Sequence, residues 1–495
     1  MRTSEAVYDN LRAFIDDLRS KGEIVEIAAP VDPHLEIAEI ADRCVKSDKG
    51  GPALLFTAVR GASMPVLINA FASKRRMELG LGVTELDQLG DKIRQLMKLA
   101  QPGSGGMNFA KLLELKDLAG IFPKTVRSGP CQDIVIEGDA IDLAALPVIT
   151  CWPKDGGPFV TLPLVFTKHP ETGAQNVGVY RMQVYDKRTT GMHWQRHKHG
   201  REHQTAMAGD ARMPVAVAIG VDPATVYSAT APLPVGMDEM LLAGFLRGKG
   251  VNMVPCRTVD LKVPAESEIV LEGYVDNAEL RMEGPFGDHT GVYTPPEPFP
   301  VFHVTCITMR RSPLYMTTIV GRPPMEDQWL GKATERLFLP LLQQMLPEVV
   351  DYNLPVEGGF HNLAIVSVKK RYPGHAKKVM YALWGLGHMM MLTRNIVVVD
   401  ADIDVQDVRT AAWFALNNVD AGRDLVFAPG PVDHLDHAGP MELLGTKLGI
   451  DATRKGPDEG YMRPWPEEIA MSADVREAVK KRWHEFGLEG IAPAR

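Results

Sequence analysis

Glycine and proline interrupt this chain along its whole length. The 495 residues include 45 glycines and 37 prolines, which are spread through the sequence and not gathered in one linker. Both residue types end regular secondary structure, so the chain must fold from many short elements. A hydrophobic fraction of 45% and a charged fraction of 23% exclude a largely disordered or fibrous chain. The length is typical of about three domains, with apolar material for more than one core.

The net charge and the cysteine content restrict which partners the chain can bind and in which cell compartment it is expected. The formal net charge of −8 gives the chain no overall attraction to nucleic acid or anionic lipid. The five cysteines form no C-x-x-C pair, which disfavours a disulfide scaffold or a Cys-rich zinc module. The first residues lack a signal-peptide core, and no apolar stretch reaches the roughly 18 residues of a membrane span. We therefore expect a cytoplasmic protein with no nucleic acid partner and no membrane span.

The pattern of apolar residues changes twice along the chain and predicts three domains. Residues 1–120 are helix-rich, with short strands, and predict a mixed α/β domain. Residues 121–325 read as strands between Gly/Pro-rich turns, which is typical of a barrel or sandwich. Residues 326–495 alternate helix and strand and predict a layered α/β domain. A charged helix at 474–486 ends the pattern, and it either docks on another subunit or is solvated.

Individual elements follow from the same patterns. The predicted N-terminal helices are 7–18, 35–45, 84–99 and 110–118, and the strands are 53–56 and 65–69. The predicted central strands are 162–167, 175–185, 215–221, 268–275 and 301–309, with a helix at 237–246 and a turn-rich run at 294–300. The predicted C-terminal helices are 333–345, 376–386 and 405–416, and the strands are 363–368, 396–400 and 424–427.

The segment Asn176-Val177-Gly178-Val179-Tyr180-Arg181 is the first candidate for chemistry. Gly178 allows close approach of the backbone, and Asn176 offers a hard carbonyl oxygen. Arg181 offers a planar fork for a carboxylate or phosphate. A barrel strand with an exposed arginine would give the same pattern.

A histidine-rich stretch, GMHWQRHKHGREH at 191–203, is the second candidate. Four histidines and three cations in this stretch predict either a metal or phosphate site or a polar surface loop. Without a thiolate, oxygen and imidazole ligands favour a hard or borderline ion such as Mn²⁺.

The loop EGPFGDHTG at 283–291 is the third candidate. Two carboxylates, Glu283 and Asp288, lie five residues apart in a Gly/Pro frame that can hold side chains rigidly. Paired carboxylates in different environments can divide into an acid and a base. A plain turn would also use Gly, Pro and Asp.

Two weaker candidates are Glu239 and Lys447. Glu239 lies near the start of a predicted helix, where an acid is favoured by the helix dipole in any case. Lys447 lies in GTKLG at 445–449, which we interpret as a loop where a lysine either meets a phosphate or is solvated.

Taken together, these segments resemble the UbiD family of reversible decarboxylases. The resemblance also covers APLPVGMDE at 231–239, GRPP at 321–324 and LGTKLGIDAT at 444–453, so it spans nearly the whole chain in order. EGPFGDHTG is its most specific motif. GMHWQRHKHG, YPGHAKKVM and GPVDHLDHAGP are most similar to the branch of menaquinone-pathway and hydroxybenzoate-type decarboxylases.

The resemblance implies a fold and a set of ligands. The fold class is α+β/α/β, with a central split β-barrel that binds prenylated FMN and a C-terminal α/β domain that helps to form a homo-oligomer, a dimer or hexamer. The cofactor phosphate would be held through Mn²⁺ and often K⁺, with Asn176, His197 and Glu239 as manganese ligands. The residues implied to contact the cofactor are Asn176, Val177, Gly178, Val179, Tyr180, Arg181, Trp194, Gln195, Arg196, His197, Glu239 and Lys447.

The implied catalytic network is Arg181, Glu283 and Asp288. Asp288 stands where some members have glutamate, and Arg196 stands where some have glutamine. The expected reaction is loss of CO₂ from an aromatic or heteroaromatic acid, with Asp288 as proton donor and a flavin prenyltransferase as cofactor supplier. Two alternatives stay open: a metal-dependent hydrolase that uses the 193–203 histidines with Asp288, and a non-catalytic flavin-binding subunit of a carboxylase complex.

Overall fold

The computed structural model describes residues 7–100, 119–194, 199–207, 212–233, 237–387 and 390–488. Three sheets of four, seven and five strands organise these residues in chain order, and three smaller sheets accompany the central one. Across the described ranges, no helix has the length and apolar character needed to cross a membrane. The predicted helix at 110–118 and residues Gln195, Arg196 and His197 lie outside the described residues.

The elements of the described residues are short, as the glycine and proline content predicts. The α-helices are α1 (Leu11–Lys21), α2 (Glu36–Val45), α3 (Lys74–Gly80), α4 (Asp87–Ala100), α5 (His199–Ala206), α6 (Pro223–Ser228), α7 (Glu239–Arg247), α8 (Asp327–Met345), α9 (His375–Gly385), α10 (Val408–Asn417), α11 (Ala421–Asp424) and α12 (Ala473–Lys481). The strands of the first two sheets and their neighbours are β1 (Ile24–Ile27), β2 (Ala53–Phe56), β3 (Val66–Ile68), β4 (Lys124–Thr125), β5 (Ile134–Glu137), β6 (Phe159–Val160), β7 (Leu164–Lys168), β8 (Gln175–Val179), β9 (Met182–Gln183), β10 (Thr189–Gly191), β11 (Arg212–Ile219), β12 (Asn252–Pro255), β13 (Lys262–Pro264), β14 (Ile269–Glu283), β15 (Phe286–Gly287), β16 (Tyr293–Thr294), β17 (Glu297–Met309) and β18 (Tyr315–Met316). The C-terminal strands are β19 (Val349–Asn353), β20 (Leu363–Val368), β21 (Asn395–Asp400), β22 (Leu425–Pro431) and β23 (Leu444–Asp451).

The N-terminal sheet has the order β1-β2-β3-β18, and helix α1 packs its apolar face into the core. The Asn10 side chain caps α1 by accepting from the Ala13 N–H, and Gly22 ends the helix with a φ of 69°. This confirms the predicted helix, although Val7 is exposed and precedes the helix. Because β18 lies late in the chain, the central segment returns to this first sheet.

The central sheet has the order β10-β17-β14-β11-β7-β8, with β5 against β17. Strands 162–167, 215–221, 268–275 and 301–309 are confirmed in type and place, and helix 237–246 corresponds to α7. Two predictions are wrong. The single strand 175–185 is broken at Tyr180, because β8 pairs with β7 while β9 pairs with β6. The run 294–300 is not all turn, since β17 begins at Glu297 and extends the antiparallel ladder with β14.

The C-terminal sheet has the order β19-β20-β21-β23-β22, and its predicted helices and strands are confirmed. Their alternation is interrupted by two strands that were not predicted, β19 and β23, which form antiparallel pairs with β20 and β22. The interpretation of 445–449 as a loop is wrong, because these residues lie in β23, between β21 and β22. The buried positions of β23 are Gly445, Lys447, Gly449 and Asp451, and the apolar Leu444, Leu448 and Ile450 lie on the less buried face, so the pattern does not read as a strand with an apolar inner face. Lys447 is 2% exposed and is therefore not a solvated lysine either.

Candidate active site

Arg181 lies in the break between β8 and β9, where the chain leaves one sheet and joins another. Its side chain is only 9% exposed, and its guanidinium carbon lies 4.4 Å from the centre of the Phe286 ring. The arginine is thus not an exposed strand residue. The break in the strand turns it into the interior of the central domain.

The guanidinium of Arg181 holds both carboxylates of the 283–291 loop. Nε and Nη2 donate to the two oxygens of Glu283 at 2.8 and 3.1 Å, which is a bidentate pair. Nη1 donates to Asp288 Oδ2 at 2.5 Å, and Nη2 also donates to Thr294 Oγ1 at 3.2 Å. The structure therefore brings the three implied catalytic residues into one hydrogen-bonded cluster.

Both carboxylates of the cluster are ionised at neutral pH. Burial alone would raise their pKa values, because it penalises the charged form. His193 and Arg181 overcome burial at Glu283 and lower its pKa to about 2. His289 and Arg181 likewise hold the pKa of Asp288 well below its usual range. Burial also opposes the charge on Arg181, but Glu283 and Asp288 outweigh it and raise the Arg181 pKa.

A second loop, residues 152–156, holds the 283–291 loop in place. Asp155 accepts from the Gly287 N–H at 2.8 Å, and Gly156 donates its N–H to the Pro285 carbonyl at 2.8 Å. A Cβ on Gly287 would lie 2.2 Å from Trp152 Cδ1, so only glycine fits there. The loop is therefore more than a surface turn. Sequence reasoning missed the 152–156 loop because nothing in its pattern signals a partner so distant in the chain.

The two outer histidines of the histidine-rich stretch, His193 and His203, have different partners. His193 Nδ1 lies 3.2 Å from Glu283 Oε2, and burial together with Arg181 lowers the pKa of His193. His203 instead pairs with Thr167 Oγ1 at 2.9 Å through its Nδ1 atom. Within the described ranges, no group of three or more His, Cys, Asp or Glu side chains could hold a metal ion. The described histidines therefore do not converge on the metal centre that a hydrolase would need.

Asn176 and Glu239 belong to one buried region, at 4% exposure each. Glu239 Oε2 accepts from the N–H of Val177 at 3.1 Å, which ties the start of α7 to β8 beside Asn176. Burial raises the pKa of Glu239 to about 7. Asn176 donates to the Tyr180 hydroxyl at 3.4 Å, and this hydroxyl accepts from the N–H of Gly200 at 3.2 Å. These contacts join the 176–181 segment to the start of α5.

Among the described residues, Lys447 forms no hydrogen bond with the Arg181 cluster. Its Nζ donates to the main-chain carbonyls of Met391 and Thr393, the latter at 3.2 Å, and lies 6.0 Å from the Trp384 ring centre. Burial lowers its pKa to about 8. Across the described residues, its hydrogen bonds all stay within the C-terminal domain.

Family models match most of the chain. The models described as 3-octaprenyl-4-hydroxybenzoate carboxy-lyase match as an N-terminal domain over residues 15–94, a Rift-related domain over 124–323 and a C-terminal domain over 328–452. The chain belongs to the UbiD family. A relative from Archaeoglobus fulgidus, an uncharacterized protein, is 53% identical over 97% of this chain and 98% of its own length.

Solved UbiD structures share the fold. Vanillic acid decarboxylase of Sedimentibacter hydroxybenzoicus, in its closed form, is 27% identical with a TM-score of 0.85 and covers 97% of this chain and 99% of its own. The UbiD-class enzyme HmfF of Pelotomaculum thermopropionicum, in complex with FMN, is 27% identical with a TM-score of 0.78, over 94% and 98% of the two chains. An evolved dimeric form of HmfF in complex with prFMN has a TM-score of 0.77 at 26% identity, over 95% and 98%. This UbiD protein is therefore a mixed α/β carboxy-lyase, and the hydrolase alternative is set aside.

The residues implied to hold the UbiD cofactor and its metal fit such ligands. The buried Trp194 Nε1 has no acceptor among the described residues, so it is free to meet a bound polar group. Glu239 is a buried carboxylate, and none of the described cations forms an ion pair with it. A carboxylate in that state is a suitable ligand for a hard divalent cation.

Proposed function

We propose that this UbiD protein catalyses the reversible, non-oxidative decarboxylation of an aromatic or heteroaromatic carboxylic acid with prenylated FMN, and that Asp288 is the proton donor. The observation that carries the proposal is the buried Arg181 fork on Glu283 and Asp288. A non-catalytic flavin-binding subunit would have no need of this charged network, because burying charged groups costs free energy of folding.

The chemistry explains why a cofactor and an arginine are both needed. Loss of CO₂ from an aromatic ring leaves an unstable carbanion, and prenylated FMN supplies the electron sink for that charge when bound. Among the described residues, Nη1 of Arg181 donates only to Asp288, which leaves one N–H for the substrate carboxylate. Arg181 thus orients the substrate, and Glu283 keeps Arg181 in place through its bidentate pair.

Cofactor binding is assigned to the segments around Asn176 and Trp194. In this proposal Asn176, Glu239 and His197 would hold Mn²⁺, and Mn²⁺ together with K⁺ would neutralise the charge of the cofactor phosphate. The proposed roles of Asn176 and Glu239 as metal ligands are supported by the burial of both side chains and by the hydrogen bond between their segments. The proposed role of His197 rests on the family motif alone.

Glu239→Gln is expected to lower the manganese content of the purified protein at least about tenfold, because it removes the charged ligand. The amide oxygen still accepts from Val177, so the fold is kept. Metal analysis and flavin absorbance measure the result, and flavin content should fall with the metal. Asp238→Asn is the matched control, since the neighbouring acid is exposed and asparagine also caps a helix. Unchanged manganese in Glu239→Gln would remove Glu239 from the site.

The proposed function is tested by co-expression of the chain with a flavin prenyltransferase. Mass spectrometry then identifies the bound cofactor, and a panel of hydroxybenzoates, naphthoates and heteroaromatic acids is screened for CO₂ release and bicarbonate exchange. Release of CO₂ only with the prenylated cofactor supports the proposal. Absence of CO₂ release from every acid contradicts it, whether or not flavin is bound.

We also propose that the protein forms a homo-oligomer through its C-terminal segment. No residue of α12 is buried, although Val475 and Val479 place two apolar side chains one turn apart, each 40% exposed. A face of this kind gains stability when a second copy covers it.

The double change Val475→Asp and Val479→Asp is therefore expected to lower the oligomeric state without unfolding the chain. Light scattering after size exclusion gives the mass, and circular dichroism checks the fold. Lys481→Asp is the control, because it changes the net charge by the same two units at a side chain that is 73% exposed. It also removes an exposed ion pair with Glu477 at 3.8 Å, which contributes little to stability. Equal masses for the wild type and the double variant would contradict the role of α12.

A further inference from the structure

A row of three hydrogen-bonded groups leads away from the active site into the C-terminal domain. Asp288 Oδ1 accepts from the N–H of His289 at 2.7 Å and lies 2.9 Å from His289 Nδ1. His289 Nε2 lies 2.8 Å from Nε2 of His361, which precedes β20. The His289 ring also stacks on Phe360, with ring centres 5.2 Å apart. The row therefore crosses from the central domain to the C-terminal domain.

The charges around the row favour an imidazolium at His289. Burial opposes that charge, but the Asp288 contact, with Asp327 and Asp433 farther away, raises the pKa of His289. Burial and the neighbouring His289 lower the pKa of His361 to about 4, against the smaller effects of Asp433, Asp288 and Asp436. Since two facing Nε2 atoms need one donor and one acceptor, the neutral partner is His361.

The proposed reaction leaves open where Asp288 obtains its proton. Arg181 and His289 hold Asp288 in its ionised form, and a carboxylate has no proton to give. Decarboxylation consumes one proton for each CO₂ released. A proton must therefore reach Asp288 from a neighbour during the reaction. Of the two described residues that hydrogen-bond to the Asp288 carboxylate, Arg181 and His289, the histidine is the one that readily gives up a proton, and this loss leaves a neutral ring.

We propose that His289 stores the proton that Asp288 delivers, and that His361 of the C-terminal domain holds His289 in position for this transfer. This inference rests on the proposed function. The Nδ1–H bond of His289 breaks and an O–H bond forms at Asp288 Oδ1, which leaves a neutral His289 and a protonated Asp288. Asp288 then gives this proton to the ring carbon that lost CO₂ and is again a carboxylate. Water returns one proton to His289 before the next turnover.

Because His361 belongs to the C-terminal domain, the ability of His289 to hold its proton depends on how the two domains are arranged. Its Nε2 accepts the remaining N–H of His289, so the imidazolium is satisfied on both nitrogens only when the two domains pack as they do here. His289 acts through Asp288 and is therefore a positioning residue and not a catalytic one. In the proposal Arg181 and Asp288 meet the substrate, and His289 does not.

His289→Asn separates proton storage from hydrogen bonding. The asparagine amide nitrogen occupies nearly the place of Nδ1 and still donates to Asp288, but it cannot supply a proton. We expect kcat at pH 7 to fall at least about tenfold with KM nearly unchanged, and to recover as the pH is lowered. Wild-type turnover should instead fall as the pH rises through the raised pKa of His289. His361→Gln keeps a neutral acceptor at the Nε2 position and should lose less than His289→Asn.

His303→Asn is the matched control, because His303 pairs with Glu279 at 2.7 Å but lies outside the row. A His289→Asn protein with the wild-type kcat and pH profile would overturn the inference.

A measurement without the cofactor distinguishes this inference from the proposed function. Nitrogen-15 NMR of histidine-labelled, cofactor-free protein should show His289 as an imidazolium at pH 7, with a pKa that falls in Asp288→Asn. A neutral His289 at pH 7 overturns the proton store even if the wild type releases CO₂. If the wild type releases no CO₂ from any acid, the proposed function fails while the NMR result still decides the charge of His289.

Discussion

Arg181→Met is expected to abolish decarboxylation and to destabilise the chain by about 3–5 kcal/mol, the usual cost of leaving buried charges without a partner. Methionine has a similar length but no donors, so Glu283 loses its bidentate pair and Asp288 loses its bond to Nη1. Glu283 is fully buried and Asp288 nearly so, and water therefore cannot replace the guanidinium. Urea unfolding and CO₂ release from the loaded enzyme measure the two effects.

Arg281→Met is the matched control for that change. Arg281 also lies over an aromatic ring, Tyr185 at 4.2 Å, and pairs with an acid, Asp186 at 3.2 Å, but its side chain is 42% exposed. Solvent screens such a pair, so the loss should stay below about 1 kcal/mol with activity retained. Equal losses of unfolding free energy in the two variants would show that burial does not increase the contribution of the Arg181 cluster to stability.

Asp288→Asn is expected to keep the bound flavin and to lower decarboxylation at least about 100-fold. The amide oxygen can still accept one of the two bonds that Asp288 receives, from Arg181 at Oδ2 or from the His289 N–H at Oδ1, and the Glu283 pair with Arg181 is untouched, so the loop should keep its shape. What is lost is the carboxyl group, which is the part of this side chain that can take up a proton and pass it to the ring carbon. Flavin absorbance and CO₂ release, measured on the same preparation, separate binding from chemistry.

Asp288→Glu restores a carboxyl group one methylene farther out and should recover part of the activity lost in the asparagine variant. Turnover equal to wild type in Asp288→Asn would exclude Asp288 as the proton donor. Loss of flavin in that variant would instead show that Asp288 helps to hold the cofactor. The proposal assigns no such role to Asp288.

Local patterns were enough to predict most elements of the fold. Helix α1 follows from apolar spacing, the Asn10 cap and Gly22, all of which are neighbours in the chain. The C-terminal alternation of helices and strands follows in the same way, because each element has its own period. Strand β23 was missed because its inward positions are glycines and polar residues, whose burial only the neighbouring strands impose.

The sequence by itself determined the family and the motif EGPFGDHTG, because a rigid Gly/Pro frame and two acids are encoded within nine residues. Only the tertiary structure decided which groups meet. Arg181 reaches Glu283 across 102 positions, and His289 reaches His361 across 72. Contacts so distant in the chain depend on how sheets and domains pack, and packing sets the burial that shifts the pKa values of these groups. Periodicity along the chain carries no record of such a contact, since it reflects only which face of each element is buried.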